Sequence, residues 1–440
     1  MKLHLPVSLL IIGSIFSFAL SAQQRCYTYQ HMLEQIRTDP VFAQKMLESE
    51  RSFDDYVSKR NSGGENLRTT TLNIPVIVHV VYKTTNEKIS REQVLSQIEV
   101  LTEDFDAENG DYDGFDAGYG SVKGDANINF CLVQIRWVKT KKRSFNTNDD
   151  VKRTSKGGSD PVDPSKYLNI WVCNIGQGIL GYAQFPNGPA ATDGVVVNYL
   201  AFGKGAQYNL YDDYDLGRTA THEVGHWLGL RHIWGDQTCG NDQVDDTPLH
   251  NTYNFGCPGE GHLSTCSGTL PEMWMNYMDY TDDQCMYFFS DGQVTRMDSY
   301  LEVNSARLIN IANTQDCTVM QDVEIDNSGG GGPGGGGPPG GGGPPGGGNP
   351  NNNRVDAGDF LVYPTVTDGM ITLEINAINS GMTSLNVYNQ AGALVYKLNI
   401  AVAQGINTKS IDLGKLSNGV YILQLMQGTE TKTKKLIIQQ

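Results

Sequence analysis

Three histidines and a glutamate stand at spacings that suit a catalytic metal ion. The stretch from Thr221 to His232 fits H-E-x-x-H-x-x-G-x-x-H. On an α-helix, His222 and His226 lie one turn apart on the same face, and Glu223 projects beside them toward a bound water. Gly229 can adopt the positive φ that ends a helix sharply, which would bring His232 back as a third ligand. Three ligands leave the fourth tetrahedral position open, as catalytic zinc requires.

This arrangement predicts metal-assisted hydrolysis of peptide bonds. A zinc ion lowers the pKa of its bound water toward about 7, so Glu223 would serve as general base and then return the proton to the leaving amine. One alternative is a helix with solvated histidines. Another is a non-catalytic adhesin or binding protein with a structural zinc site. Glu223 distinguishes these classes, because a structural site has no use for a carboxylate beside an open position.

The elements around this motif predict a mixed α/β (α+β) domain with a mixed sheet and an active-site helix. Ser90 is a plausible N-cap for a helix reaching Phe105, and a second helical pattern begins near Asp215. Little strand signal follows Ser267. Gly194 to Leu200, as a sheet edge above the active-site helix, could bind an extended substrate by strand addition. Strand-like runs are 74–82, 128–137, 167–175 and 194–200, and 291–308 has the pattern of a closing helix.

Composition excludes one class of partner. The chain has 440 residues, with 33 Lys and Arg against 49 Asp and Glu, a formal net charge of -16. Proteins that bind nucleic acid concentrate positive charge, so nucleic acid is not an expected partner. The length suggests two or three domains, and 39% hydrophobic residues can supply at least one sizeable core.

The first 22 residues are typical of a secretory signal peptide. Lys2 supplies positive charge, Leu9 to Leu20 is apolar, and Ser21-Ala22 offers small residues for cleavage. An uncleaved membrane anchor is the alternative, but the apolar stretch falls short of the roughly 20 residues a span needs. No later segment is apolar enough to span a bilayer. The polar segment 23–71, with basic sites at Lys59-Arg60 and Arg68, is interpreted as a propeptide.

A linker divides the rest of the chain. Gly329 to Pro350 contains 15 Gly, 6 Pro and one Asn, and such a stretch has no side chains with which to build a core. We therefore predict a catalytic domain at 72–326, a linker at 327–353 and a further domain at 354–440. Short alternating apolar runs after Asp359 predict a small all-β sandwich.

The catalytic part resembles the metzincins, and more closely the pappalysin/cytophagalysin family of zinc metallopeptidases, over about 74–311. The long histidine motif and a later methionine turn carry the likeness. By this resemblance, Met278 would form a hydrophobic base under the zinc, and Tyr280 would approach the metal and stabilise the oxyanion. A core methionine and a surface tyrosine are the alternatives. The matching residues beyond the histidine motif are Gly217-Arg218-Thr219, Asn276 to Tyr280, Cys285-Met286, Phe289-Ser290, Gln293 and Arg296-Met297.

Export would place the eight cysteines in an oxidising compartment, where disulfides form. The resemblance implies the pairs Cys239–Cys266 and Cys257–Cys285, although the sequence alone allows other pairings. Cys131, Cys173 and Cys317 have no assigned partners, and the two strand cysteines among them, Cys131 and Cys173, can be buried free thiols.

Cys26 follows Arg25 inside the predicted propeptide. Its thiolate could occupy the open zinc position and keep the enzyme latent until cleavage near Arg60 or Arg68, as propeptides of the family are thought to do. The alternatives are a structural disulfide and an idle thiol.

Two acidic segments near the zinc motif are candidate binding residues. Related enzymes bind calcium near the oxygen-rich loop of Asp242, Asp245, Asp246 and Thr247, and carboxylates suit that cation. A solvated acidic loop is the alternative. Family members that cleave before arginine use a carboxylate near the methionine turn. Here Asp282 and Asp283 are available, which suggests a preference for substrates with a basic residue directly after the scissile bond.

The C-terminal domain resembles the sorting domain of type IX secretion in Bacteroidetes. The matching pieces are Tyr363-Pro364, Gly392 to Val395, Leu416 to Tyr421 and the lysines near 432–435, while Thr365-Val366 replaces the usual Asn-Pro. The resemblance implies export through the periplasm of a Gram-negative bacterium to the medium or the cell surface, with the secretion machinery and protein or peptide substrates as partners. An adhesion or carbohydrate-binding module is the alternative.

Overall fold

The computed structural model describes residues 25–61, 68, 70–266, 268, 271–328, 360–363, 366–367, 369–377, 379–390, 392–427 and 430–438. The predicted signal peptide, the predicted linker from residue 329 onward, and Pro364 and Thr365 lie outside these residues. In chain order, the elements up to residue 328 are α1 (Thr28–Thr38), α2 (Pro40–Asn61), β1 (Leu72–Tyr82), α3 (Arg91–Phe105), β2 (Lys123–Gly124), β3 (Ile128–Lys139), β4 (Leu168–Cys173), β5 (Gly181–Ala183), β6 (Val195–Asn198), α4 (Arg218–Trp227), β7 (Phe289–Ser290), α5 (Asp291–Ser299), α6 (Ala306–Thr314) and β8 (Val323–Asp326).

A six-stranded mixed sheet supports the site. Its order is β5-β6-β4-β1-β3-β8, and β5 is antiparallel to β6 while the other neighbours are parallel. The apolar run of β1 is almost wholly buried, as expected for a central strand covered on both faces. The predicted mixed α/β class is therefore confirmed, with α4 as the helix that carries the histidine motif.

The structure corrects the predicted edge strand. β6, the strand within 194–200, pairs with β4 on one side and β5 on the other, so it is internal. The edge is β5, only three residues long (Gly181–Ala183). A run this short leaves too few positions for an alternating pattern, which explains why the sequence did not reveal it. Its free side is the one available for strand addition.

The closing helix predicted over 291–308 is divided. It forms α5, a π-helical turn (Tyr300–Asn304) and α6. Ser305 has extended backbone and caps α6 through Leu308 N, which interrupts the helical path. At the start of α3, by contrast, Ser90 is the predicted N-cap and accepts a hydrogen bond from Gln93 N. Two strands, β7 and β8, follow Ser267, where little strand signal was expected.

Three disulfides join distant parts of this unit. Cys239 pairs with Cys266 and Cys257 with Cys285, the pairs that the resemblance implies. Cys131 of β3 pairs with Cys317 beyond α6, so the free-thiol interpretation is wrong for Cys131. Cys173 is a buried free thiol. The partner of Cys131 is not adjacent in sequence, and its segment has no pattern that would have identified it.

The N-terminal segment, residues 25–61, packs against the sheet at the edge formed by β5. Cys26 forms a parallel bridge with Gly181 of the edge strand β5. Met32 of α1 and Phe42 and Met46 of α2 are buried in one apolar cluster with Phe185. The segment therefore covers the free side of β5.

Strands alone form the described part beyond the linker. They are β9 (Phe360–Tyr363), β10 (Val366–Thr367), β11 (Met370–Ala377), β12 (Gly381–Asn389), β13 (Leu394–Val402), β14 (Gly405–Asp412), β15 (Gly419–Gln427) and β16 (Glu430–Ile438). They form a five-stranded sheet, β10-β16-β15-β12-β13, and a three-stranded sheet, β14-β11-β9. Buried Leu and Ile side chains of both sheets share one core, so the predicted sandwich is confirmed. Among the described helices, none combines the length and apolar composition of a membrane span.

Candidate active site

The imidazoles of the motif converge on one point. His226 Nε2 lies 3.1 Å from His222 Nε2 and 3.1 Å from His232 Nε2. Three nitrogens at bonds of about 2.0–2.1 Å to one tetrahedral zinc would be separated by roughly 3.3 Å. Among the described residues, the group of His, Cys and acidic side chains close enough to share an ion consists of these three histidines and Cys26, and all four are buried.

Hydrogen bonds fix which nitrogen of each ring faces that point. His222 Nδ1 contacts Tyr277 O at 2.7 Å, His226 Nδ1 contacts Leu230 O at 2.8 Å, and His232 Nδ1 contacts Asp236 Oδ1 at 2.5 Å. Since carbonyl and carboxylate oxygens only accept, each Nδ1 carries the proton and each Nε2 offers a lone pair. Burial lowers the pKa of both His222 and His226 well below the ordinary value. The neutral donor set therefore fits zinc.

Gly229 and Met278 shape the floor of the site. Gly229 has φ +96°, and a Cβ there would overlap the Tyr300 ring, so glycine is required for the turn that brings back His232. A Cβ on Gly225, between the two helical histidines, would lie 2.6 Å from the Met278 sulfur. The methionine is fully buried and packs directly beneath the motif helix.

Glu223 lies beside the histidines at the covered edge strand. A Cβ on Gly181 of β5 would lie 2.7 Å from Glu223 Oε1, so this glycine makes room for the carboxylate. Glu223 Oε2 accepts a hydrogen bond of 2.8 Å from the Thr28 hydroxyl, while within the described residues Oε1 is buried without a partner. Burial raises the pKa of Glu223 to about 8, which favours a group able to take up and release a proton near neutrality.

The segment from Arg25 to Thr28 runs across this site. Cys26 is fully buried, and its thiol lies 3.5 Å from Glu223 Oε2. Burial first, and the charge of Glu223 second, raise the pKa of this thiol, so a cation would be needed to stabilise its thiolate. Tyr280 is buried within ring contact of His222 and His232 and donates its hydroxyl proton to Cys26 O at 3.2 Å.

The two candidate specificity aspartates differ sharply. Asp283 is buried and accepts hydrogen bonds from Arg25 Nη2 at 3.0 Å and from the backbone of Leu216 and Arg218. Asp282 is only partly buried; its backbone N–H donates to Gly256 O, and its carbonyl oxygen accepts from Cys285 N. Arg25 also lies over the Tyr214 ring at 4.9 Å. The structure thus brings Asp283, and not Asp282, into contact with the segment in the site.

The four oxygen-bearing residues of the candidate calcium loop are divided. Asp242 is buried and accepts from the Thr247 hydroxyl at 2.8 Å, and burial raises its pKa to about 7. Asp246 accepts from the Ser290 hydroxyl and Gly292 N at the start of α5. Asp245 is exposed. Asp242 and Thr247 therefore lie together, with Asp246 committed to a helix terminus.

Sequence reasoning missed two residues that contact the motif. Thr28 engages Glu223, and Asp236 holds His232. Asp236 follows His232 by four residues, a spacing that carries little information outside a regular helix. Thr28 follows Cys26 by two residues. The predicted position of the Cys26 thiol at the metal site could therefore have indicated that Thr28 also lies there.

The fold and this donor set define a metallopeptidase of the metzincin type. The family described as "Pregnancy-associated plasma protein-A" matches residues 148–302, and the family described as "Secretion system C-terminal sorting domain" matches residues 361–439. An extracellular metalloprotease of Arthroderma benhamiae is 33% identical over 251 residues, which cover 54% of this chain and 75% of that protein. The chain therefore belongs to the pappalysin family of metallopeptidases and carries a type IX sorting domain.

Solved structures support the same assignment. Promirolysin of Tannerella forsythia, solved as a mutant, is 38% identical with a TM-score of 0.60, covering 67% of this chain and 98% of that one. Mature mirolysin of the same organism, solved in complex with a cleaved peptide, is 41% identical with a TM-score of 0.54, covering 57% and 98%. The protein is thus a secreted or cell-surface metalloendopeptidase of a Gram-negative bacterium, with proteins as substrates.

Proposed function

We propose that the chain is the latent precursor of a zinc endopeptidase that uses Glu223 as its general base. The observation that supports this most strongly is the convergence of three Nε2 atoms, with that of His226 3.1 Å from each of the other two, on rings that are all held through Nδ1. A structural zinc site would not need the carboxylate that lies beside them.

Each residue has a role in hydrolysis. His222, His226 and His232 would hold the zinc ion, which when bound supplies a Lewis acid and a water of lowered pKa. Glu223 accepts the proton of the attacking water at its carboxylate and returns it to the leaving amine. Tyr280 donates a hydrogen bond from its phenol to the developing oxyanion. Met278 packs under α4 and keeps the ligands in register.

Latency would come from the N-terminal segment. The Cys26 thiolate would take the remaining ligand position of a bound zinc ion. The Thr28 hydroxyl engages Glu223, and the phenol of Tyr280 donates to Cys26 O. The ligand site, the base and the oxyanion donor are therefore all blocked together. Release requires cleavage between this segment and the catalytic domain. We place the catalytic domain at residues 72–326, as the sequence predicts.

We propose further that the pocket closed by Asp283 accepts a basic side chain directly after the scissile bond. Arg25 fills it in the precursor, and its guanidinium is 1% exposed. The Asp283 carboxylate, the Thr281 carbonyl oxygen and the Tyr214 ring surround that guanidinium. These groups match the charge and the planar donor geometry of arginine.

Calcium binding at Asp242, Asp245, Asp246 and Thr247 remains part of the proposal. The buried Asp242 carboxylate has a raised pKa, and a divalent cation would offset the cost of keeping it ionised. Titration with calcium while the Tm is followed tests this. A Tm that is unchanged by calcium would contradict it.

One assay tests the central proposal. The full chain is activated with trypsin, and cleavage of a denatured protein is followed in the wild type, in Glu223→Ala and in Glu108→Gln, which removes an exposed carboxylate outside the site. We expect Glu223→Ala to lose at least about 10³-fold in kcat, since both proton transfers depend on it, and Glu108→Gln to match the wild type. A zinc chelator should abolish the wild-type activity. Activity that survives either treatment would contradict the mechanism.

The products of the wild-type reaction test the specificity pocket. Mass spectrometry should find arginine or lysine at the new N-termini. An even distribution of residues there would contradict the assignment of Asp283.

A further inference from the structure

Two arginines next to the zinc motif share one carboxylate of the N-terminal segment. Glu50 of α2 accepts hydrogen bonds from Arg296 at 2.6 and 3.0 Å and from Arg231 at 2.9 Å. Arg231 directly precedes His232, and Arg296 Nε donates to Gly229 O at 2.8 Å. Both guanidiniums therefore lie at the turn that carries the third histidine.

Within the described residues, both arginines form their ion pairs with the same carboxylate. In the part of the chain that the structure describes, Glu50 is the acidic group in ion-pair contact with either of them, and Arg231 Nε is buried without a partner. The nearby acids of the catalytic domain accept their hydrogen bonds elsewhere, Asp236 from His232 and Asp242 from Thr247, although the charge of Asp242 also acts on Arg296. Burial raises the pKa of Glu50, but the two guanidiniums outweigh it and hold the net pKa below the ordinary value.

A cavity lies beside Arg231, one of this pair. Its volume is about 250 Å³, and Phe185, Arg231 and Asp236 line it together with Tyr29 and Met32 of α1. The Phe185 ring lies 5.6 Å from the His226 ring. Removal of α1 and α2 would open the cavity and uncover Arg296, which is fully buried in the precursor beside Phe53 of α2.

The Arg25 pocket and the edge strand together imply that a substrate runs along β5 in the direction opposite to the N-terminal segment, which is parallel to β5. Arg25 O accepts from Leu180 N and Gly181 N at one end of β5, and Thr28 accepts from Ala183 N at the other. Arg25 fills the pocket that we propose for the residue after the scissile bond. Residues before the bond would then extend past Ala183 toward Phe185 and Arg231.

We propose that in the processed enzyme Arg231 and Arg296 form a carboxylate-binding subsite for an acidic side chain on the N-terminal side of the scissile bond. Glu50 occupies this subsite in the precursor as a substitute ligand. A paired guanidinium site favours a carboxylate over an isosteric amide, because charge-assisted hydrogen bonds are about twice as strong as neutral ones. The inference rests on the proposed protease function, which supplies the substrate and its direction.

Matched peptides test the subsite. The full chain is activated with trypsin and freed of the cleaved segment. A peptide that the enzyme cleaves is then resynthesised with Glu or Gln at the second, third or fourth position before the bond. At one of these positions we expect kcat/KM to be about tenfold higher for Glu than for Gln. The ratio should fall to about one in Arg231→Gln and decline with ionic strength, while Arg143→Gln, a change at an exposed arginine elsewhere, retains it.

The ratio is taken within each variant, so a general loss of activity does not affect it. A ratio near one at all three positions in the wild type, or a ratio that Arg231→Gln leaves unchanged, would overturn the subsite. Binding of the same peptides to the activated Glu223→Ala variant separates the two proposals. A Glu preference in binding together with unimpaired cleavage by Glu223→Ala would contradict the protease mechanism and retain the subsite, and equal binding would count against the subsite alone.

Discussion

Thr28 engages the proposed general base directly. Its hydroxyl donates to Glu223 Oε2 and accepts from Ala183 N, both at 2.8 Å. The hydroxyl thus links the Glu223 carboxylate to the edge strand where a substrate backbone would bind. In the proposed latent form, Cys26 and Thr28 would therefore block different parts of the site, and loss of one would leave the other in place.

The residue-scale prediction concerns the latch itself. Cys26→Ala removes the proposed fourth ligand, so the precursor should process itself faster, on the order of tenfold if the closed state loses roughly 1.4 kcal/mol. The measurement is the rate at which the processed form appears on a gel without added trypsin. Cys173→Ala is the control, because Cys173 is the other buried free thiol among the described residues and lies outside the site. Unchanged latency in Cys26→Ala would count against the latch.

At the scale of elements, helix α2 is the second anchor of the N-terminal segment. Its residues Tyr56 and Glu50 reach Glu302 and Arg296 in the region of α5 and the π-helical turn. This contact involves residues of the chain other than those at the bridge between Cys26 and β5. The segment is thus held at two places. One is the polar contact of α2, and the other is the contact of Cys26 and Thr28 with the residues around Glu223.

Glu50→Gln should weaken the second anchor. The side chain is about a quarter exposed, so we expect a cost of about 2 kcal/mol, below the 3–5 kcal/mol of a fully buried pair. Tm of the precursor should fall, and tryptic release of the segment should become faster. Glu48→Gln, an exposed change on the same helix, is the control. The same Tm and release rate in both variants would contradict the anchor.

Local patterns in the sequence predicted the elements that carry the ligands, and long-range contacts explain what was missed. His222, His226, Gly229 and His232 are close in sequence, so helix geometry alone brings them together. The ion pair between Arg25 and Asp283 joins residues 258 positions apart, and no periodicity encodes it. β5 was missed because three residues cannot display an alternating pattern, although it is the edge on which the N-terminal segment lies.

At the scale of the whole molecule, catalysis and export belong to separate parts of the chain. The catalytic core and the core of the β-sandwich are distinct sets of buried residues. The predicted linker between them is made of residues that cannot build a core. The tail should therefore be needed for release and not for hydrolysis.

Deletion of residues 354–440 tests this separation. We expect most of the enzyme to remain in the periplasm and to be fully active after tryptic activation of a cell extract. Deletion of 336–343, which shortens the glycine-rich linker and keeps the sandwich, is the control and should not impair release. The measurement is activity in medium and periplasm. Normal release without the sandwich would overturn the sorting role.

The bond between Cys131 and Cys317 has a consequence for the enzyme's lifetime. It closes a loop across 186 residues of sequence. By lowering the entropy of the unfolded chain, a loop of that length raises the free energy of the unfolded state by about 5 kcal/mol at room temperature. A secreted endopeptidase is surrounded by copies of itself, and any copy that unfolds is a substrate for its neighbours. Because digestion of this kind depends on the population of opened molecules, the bond protects the enzyme population against its own activity.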